Sequence, residues 1–188
     1  MSRRVGVLLM AYGTPRSKNE IEAYYTDIRR GRPPTADALA ELTDRYAAIG
    51  GLSPLAELTE SQRDVLQDAL DEADPDRYDV MIGLKHADPR IEATAGELAS
   101  NRCSTIVGLV LAPHFSASSI GQYLHRARRG VASKGPNTTF VGIESWATEP
   151  AFVEFLAADL KPRIEAMAAT TAMAVRVLFT AHSLPTRI

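Results

Sequence analysis

The residues best equipped for chemistry are three of the chain's four histidines, His86, His114 and His182, together with Tyr12 and Lys85. Each stands at or just beyond the end of a short apolar run. Imidazole binds first-row transition metals through a ring nitrogen and also accepts a proton near neutral pH, so a histidine in such a place suits either task. Position alone leaves His182 open between a structural and a functional role. It also leaves Lys85 and His86 open between a solvated strand edge and a site, and His114 open between a site and a loop-ordering contact. His125 falls inside a helical pattern and reads as a surface residue. A second group is cationic: Arg29, Arg30 and Arg32 cluster at the end of a helical segment. There they either complement the helix dipole or, through planar forked donors, grip carboxylates of a flat ligand. Arg45, Tyr46 and Ser53 offer a further cation, an aromatic face and a hydroxyl, each with an ordinary helix or turn reading beside it.

Positioning these groups requires elements that end together. Runs rich in branched apolar residues predict buried strands at 5–11, 78–84, 105–111, 138–141 and 174–181. Helical patterns separate them at 19–30, 36–47, 59–72, 91–100, 118–132 and 149–167. Strands alternating with helices specify an α/β fold, a doubly wound parallel sheet flanked by helices. Ligands of such sheets gather outside the carboxyl ends of the strands, which is where Tyr12, Lys85, His86, His114 and His182 fall. No GxGxxG or P-loop pattern follows a strand, which removes the usual support for dinucleotide or triphosphate binding.

Composition narrows the classes further. A length of 188 residues with 45% hydrophobic content fills one core and begins a second unit. A net charge of −2 gives no support to a nucleic-acid partner. Cys103 is the single cysteine, which excludes an intrachain disulfide or cysteine-built cluster and suits a reducing cytoplasm; it reads as a small buried hydrophobe. No apolar run approaches the length a transmembrane helix needs, about 20 residues. The stretch 5–15 is similar to 175–185, with Val5/Val175, Val7/Val177, Leu8/Leu178, Ala11/Ala181 and Pro15/Pro185 identical. This repeat predicts one lobe over 1–173 and the first strand of a second, truncated lobe over 174–188.

The segment LFTAHSLP at 178–185 resembles the signature of the ferrochelatases, in which a histidine follows apolar and Ser/Thr positions and precedes an apolar residue and proline. MAYGTP (10–15), YYTDIRRGR (24–32), Arg45–Tyr46, IGGLSP (49–54), GLKH (83–86) and LAPHFS (111–116) resemble the same family in order, over essentially the whole chain. The tyrosine of MAYGTP is similar to the Gram-positive branch, which metallates coproporphyrin III rather than protoporphyrin IX. The resemblance implies a cytoplasmic haem-biosynthesis enzyme of chelatase-like fold, a lyase that inserts ferrous iron into a porphyrin. It implies no resident cofactor in this chain, iron being a substrate. Tyr12 would face the metal from one side as an axial ligand of the iron porphyrin, and His182 would bind Fe2+ or accept pyrrole protons from the other. Arg29, Arg45, Tyr46, Ser53 and Tyr123 match porphyrin-site positions, with Arg30, Lys85 and His86 close by. Family members also use a downstream glutamate beside the histidine, which this sequence does not reach. A non-catalytic tetrapyrrole-binding fragment is the alternative.

Overall fold

Strand β1 (Val5–Ala11) is apolar at every position but Gly6, as a strand covered on both faces must be. A computed structural model, which describes residues 4–180 apart from 102 and 172, makes it an inner strand of an all-parallel sheet. With β2 (Tyr78–Leu84), β3 (Thr105–Val110) and β4 (Thr139–Ile143), the order is β2-β1-β3-β4. The chain leaves β1 in one direction to reach β2 and then crosses back over it to β3. The point where the connections diverge, between β1 and β3, is the place where α/β sheets open a crevice.

Six α-helices accompany the sheet among the described residues: α1 (Ile21–Ile28), α2 (Ala36–Ala48), α3 (Leu55–Ala73), α4 (Ile91–Ser100), α5 (Gln122–Lys134) and α6 (Pro150–Thr170). Leu8 and Met10 of β1 pack in the main core with Ile91 and Leu98 of α4, Ile106 of β3 and Leu124 of α5. The alternate residues Val7 and Leu9 pack on the other face with Val80, against Leu66 and Leu70 of α3. This period-two division, with helices on both faces, is the doubly wound arrangement expected. Cys103 is buried in the main core, as its reading as a small hydrophobe requires. Helices α4 and α5 approach so closely that a Cβ at Gly130 would lie 2.5 Å from the Glu92 carbonyl oxygen. Arg126, one turn before Gly130, is thereby carried beside Glu92.

Strand β2 stands at the sheet edge, where unpaired backbone groups invite wrong partners. Gln67 of α3 takes the place of a neighbouring strand. Its Oε1 accepts from the Val80 amide at 2.9 Å and its Nε2 donates to the Tyr78 carbonyl at 3.3 Å and to Asp71 Oδ2 at 3.0 Å. Gln67→Ala is expected to cost about 1–2 kcal/mol in urea denaturation and to expose the Val80 amide to faster hydrogen exchange. Unchanged exchange at Val80 would show that Gln67 does not cap the edge.

The expected strands at 5–11 and 78–84 form with those bounds, and those expected at 105–111 and 138–141 form as β3 and β4 with ends shifted by one or two residues. The strand expected at 174–181 does not form over 174–180, the part of it within the described residues. A strand exists only where a neighbour takes its backbone groups, and here Leu178 and Phe179 are each 85% exposed. Helix α6 likewise buries none of its residues. No helix among the described residues is long and apolar enough to cross a membrane.

Candidate active site

The registers Ala11↔Leu84, Met10↔Val110 and Leu109↔Ile143 make the strands end level with one another. Tyr12 and Lys85 therefore emerge side by side. Backbone bonds from the Lys85 amide to the Ala11 carbonyl (2.9 Å) and from the His86 amide to the Tyr12 carbonyl (3.0 Å) extend the pairing past the strands. Gly13 is left-handed (φ 87°), and a Cβ there would meet the Ala87 Cβ at 3.0 Å and the Ala87 nitrogen at 3.2 Å. Glycine thus lets the turn after β1 lie against the turn after β2. The Tyr12 and His86 rings meet as a result, with centroids 4.5 Å apart.

Two ion pairs clamp the Lys85–His86 turn. Arg90 Nη1 lies 3.0 Å from Asp27 Oδ2 and donates to the Lys85 carbonyl at 3.1 Å. Arg126 forks onto Glu92, with Nε on Oε1 at 2.6 Å and Nη2 on Oε2 at 2.7 Å, while its Nη1 donates to the same Lys85 carbonyl at 2.7 Å. Asp27 Oδ2 also meets His86 Nδ1 at 2.6 Å. Lys85 Nζ lies 4.9 Å from the centre of the buried Tyr123 ring, a cation–π contact. Asp27, Arg90, Glu92 and Arg126 were not legible as site residues from sequence. Their one signal is that Arg90 and Glu92 open α4 just after the strand-end pair, and their partners come from α1 and α5.

Tyr12, Tyr24, Arg45 and Tyr46 line one hollow of about 310 Å3. The Tyr24 hydroxyl donates to the Gly13 carbonyl at 3.2 Å, and the Tyr46 hydroxyl shares a 3.3 Å hydrogen bond with Thr14. Arg45 pairs with Glu41 across one turn of α2. Arg29 and Arg30 line a neighbouring open hollow with Arg32 and Ile28, and Ile28 belongs to the wall of both. Arg29 stacks 5.5 Å from the Tyr25 ring centre and donates to the Arg32 carbonyl at 3.3 Å. Arg30 occupies the left-handed position (φ 59°) that ends α1, with its amide on the Asp27 carbonyl and that of Gly31 on Thr26. Ser53 turns away to a local task, accepting from the Leu55 amide at 3.2 Å at the start of α3. His114 is exposed on the loop after β3 and His125 is exposed on α5. His182 lies outside the described residues.

Burial governs the charges at this edge. It lowers the Lys85 and His86 pKa values, with the Arg126 charge adding to both, and for His86 it outweighs the opposing pull of Asp27. Burial also raises the Tyr12 hydroxyl, helped by the Asp27 charge, and pushes Tyr123 up to about 12. For Asp27 and Glu92, burial alone would raise the pKa, but hydrogen bonds from Arg90 and His86, and from Arg126, bring both below the usual carboxylate value. The stability these carboxylates contribute is present above their unfolded values, about 3.9–4.3, and is lost as pH falls through the folded values. A depressed imidazole works in the same direction. The unfolded chain takes up that proton near pH 6.5 while folded His86 resists it, so stability begins to fall below about pH 6.5. Urea denaturation between pH 7 and pH 4 is expected to show a steady decline with an early, His86-dependent component. A His86→Ala chain with the same profile above pH 5 would contradict this.

The ferrochelatase family model matches residues 4–188. The chain is 41% identical over 189 residues to coproporphyrin III ferrochelatase 1 of Bacillus anthracis, covering 100% of this chain and 60% of that protein. It is 42% identical over 190 residues to coproporphyrin III ferrochelatase of Bacillus subtilis (strain 168), covering 100% and 61%. The corresponding protein of Bacillus pumilus is 41% identical over 187 residues, covering 99% and 60%. The chain thus spans about 60% of the length of these curated relatives. With a parallel α/β sheet whose level strand ends gather Tyr12, Lys85, His86 and Tyr123, and with this match along almost its full length, the chain belongs to the ferrochelatase family.

Proposed function

We propose that this chain supplies the porphyrin-binding face, and through His182 the metal-handling group, of a cytoplasmic ferrochelatase that inserts Fe2+ into coproporphyrin III. Its chemistry replaces two pyrrole N–H bonds with bonds to the metal and releases two protons. The observation that carries the proposal is the row of aromatic and cationic groups on the open strand ends: Tyr12 against His86, Lys85 over Tyr123, and Arg45 with Tyr46 in the adjoining hollow. Aromatic faces suit a flat macrocycle, and arginines suit the four propionates of coproporphyrin. Arg29 and Arg30 stand one hollow away, where they reach propionates at the rim rather than the ring centre. Tyr12 remains a neutral phenol at neutral pH and faces the metal on one side of the ring. Protoporphyrin IX, with two propionates, makes less use of the same cations.

The test is an anaerobic single-turnover reaction of the 188-residue chain with coproporphyrin III and ferrous iron, followed by porphyrin absorbance, beside an equilibrium porphyrin titration. Metallation above the uncatalysed rate supports the proposal. Binding without metallation selects the second reading, a tetrapyrrole-binding piece. Absence of binding overturns both.

A further inference from the structure

Three tyrosines converge on the turn that follows β1, and their hydroxyls are not used alike. Tyr12, which begins the turn, is 43% exposed, while Ala11 before it and Gly13, Thr14 and Pro15 after it are buried. Its ring meets that of His86, and its hydroxyl makes no hydrogen bond among the described residues. The hydroxyls of Tyr24 on α1 and Tyr46 on α2 are both committed to the turn, Tyr24 donating to the Gly13 carbonyl at 3.2 Å and Tyr46 sharing a 3.3 Å hydrogen bond with Thr14 Oγ1. The Tyr12 carbonyl accepts from the His86 amide at 3.0 Å, but no backbone amide among the described residues reaches the Gly13 carbonyl. Tyr24 therefore supplies the donor that this buried residue's carbonyl requires. Gly13 is left-handed (φ 87°) and has the conformational freedom to swing the peptide that carries the carbonyl, a freedom that the Tyr24 bond removes.

A phenol oxygen without a protein partner is placed by the backbone beneath it. We propose that Tyr24 is a positioning residue for Tyr12: by fixing the Gly13 carbonyl, its hydroxyl holds the turn from which the Tyr12 oxygen is offered to porphyrin iron. The inference rests on the porphyrin reading above, in which Tyr12 faces the metal. It divides the labour among the three tyrosines, two hydroxyls holding the turn and one left open to ligate. Tyr24 also lines the hollow that holds Tyr12, Arg45 and Tyr46, so direct contact with the macrocycle is the competing role. The two roles differ in one respect. A direct contact acts on the ring whether or not Tyr12 has its oxygen, whereas a positioning bond acts only through that oxygen.

The experiment titrates the 188-residue chain, its Tyr24→Phe and Tyr12→Phe variants and the double variant with metal-free coproporphyrin III and with its ferric complex. Phenylalanine keeps each ring and removes one oxygen. Tyrosine oxygen ligates haem iron, so the ferric complex reports on Tyr12 through a tyrosine-to-iron charge-transfer band, and the metal-free ring does not. The affinity ratio of ferric to metal-free porphyrin is expected to fall roughly three- to tenfold in Tyr24→Phe, the worth of one hydrogen bond, with a weaker band. The ratio is expected to be the same in Tyr12→Phe as in the double variant. In the ligand-free chain, Tyr24→Phe is expected to shift the amide resonance of Thr14, whose peptide carries the Gly13 carbonyl. An unchanged ratio in Tyr24→Phe, which is also what a general loosening of the fold would give, overturns the inference alone. So does an unchanged Thr14 resonance, or a further fall in the ratio when Tyr24→Phe is added to Tyr12→Phe. Failure of the unsubstituted chain to bind metal-free coproporphyrin III overturns the proposed function and the inference with it.

Discussion

Replacing His182 by alanine is expected to leave coproporphyrin III affinity within about threefold and to slow single-turnover metallation about a hundredfold or more. The split follows from where the two energies arise. On the proposed function, porphyrin affinity would come from ring contacts with Tyr12 and Tyr123 and from ion pairs with arginines, none of which involves residue 182. The chemical step needs a group that holds Fe2+ or takes pyrrole protons, and the remaining imidazoles are poorly placed to substitute. His86 has one nitrogen committed to Asp27, His114 stands on an exposed loop, and His125 is exposed on α5. The comparison is made anaerobically at saturating porphyrin, so that a change in binding cannot imitate a change in rate. A His182→Ala chain that metallates as fast as the unsubstituted one would remove His182 from the mechanism.

Arg126→Ala is expected to lower stability by about 3 kcal/mol and to free the Lys85–His86 turn. The arginine makes three short hydrogen bonds at once, two to Glu92 and one to the Lys85 carbonyl. Its removal leaves a partly buried carboxylate unpaired and leaves that carbonyl with Arg90 as its one remaining side-chain donor. Arg126→Lys is expected to recover only part of the loss, because an ammonium cannot present the fork. A Glu92→Arg/Arg126→Glu exchange restores opposite charges between α4 and α5. A carboxylate at 126 cannot donate to Lys85, so this variant is expected to regain stability without regaining porphyrin affinity. Urea denaturation and porphyrin titration of the four chains check this. If affinity returns with stability in the exchanged chain, Arg126 supports the fold and does not position the turn.

The candidate site is a mixture of what local chemistry can and cannot announce. Tyr12, Lys85 and His86 are legible because a strand that turns polar at its carboxyl end in an α/β pattern marks the ligand-facing edge. The strand ends also align in the sheet as that rule requires. Asp27 is illegible because its partners His86 and Arg90 lie far along the chain, and no spacing rule connects α1 with the start of α4. The same is true of Arg126 and Glu92, brought together by the close approach of α4 and α5 at Gly130. Helix boundaries shift for local reasons: α3 begins at Leu55, just after Pro54, with Ser53 accepting the Leu55 amide.

By itself the sequence determines the parallel α/β class, the inner strands and the family, because these depend on hydrophobic period and on short ordered motifs, which are properties of neighbours along the chain. Tertiary structure alone decides that Asp27 fixes His86, that two arginines meet on one carbonyl, and that Arg29 and Arg30 line a different hollow from Tyr12. It also decides that 174–180 has no strand pairing despite its branched apolar pattern. The physical reason is common to all of these. Hydrogen bonds and ion pairs act through a few ångströms of space, so their partners are chosen by packing, whereas periodicity is written one residue at a time.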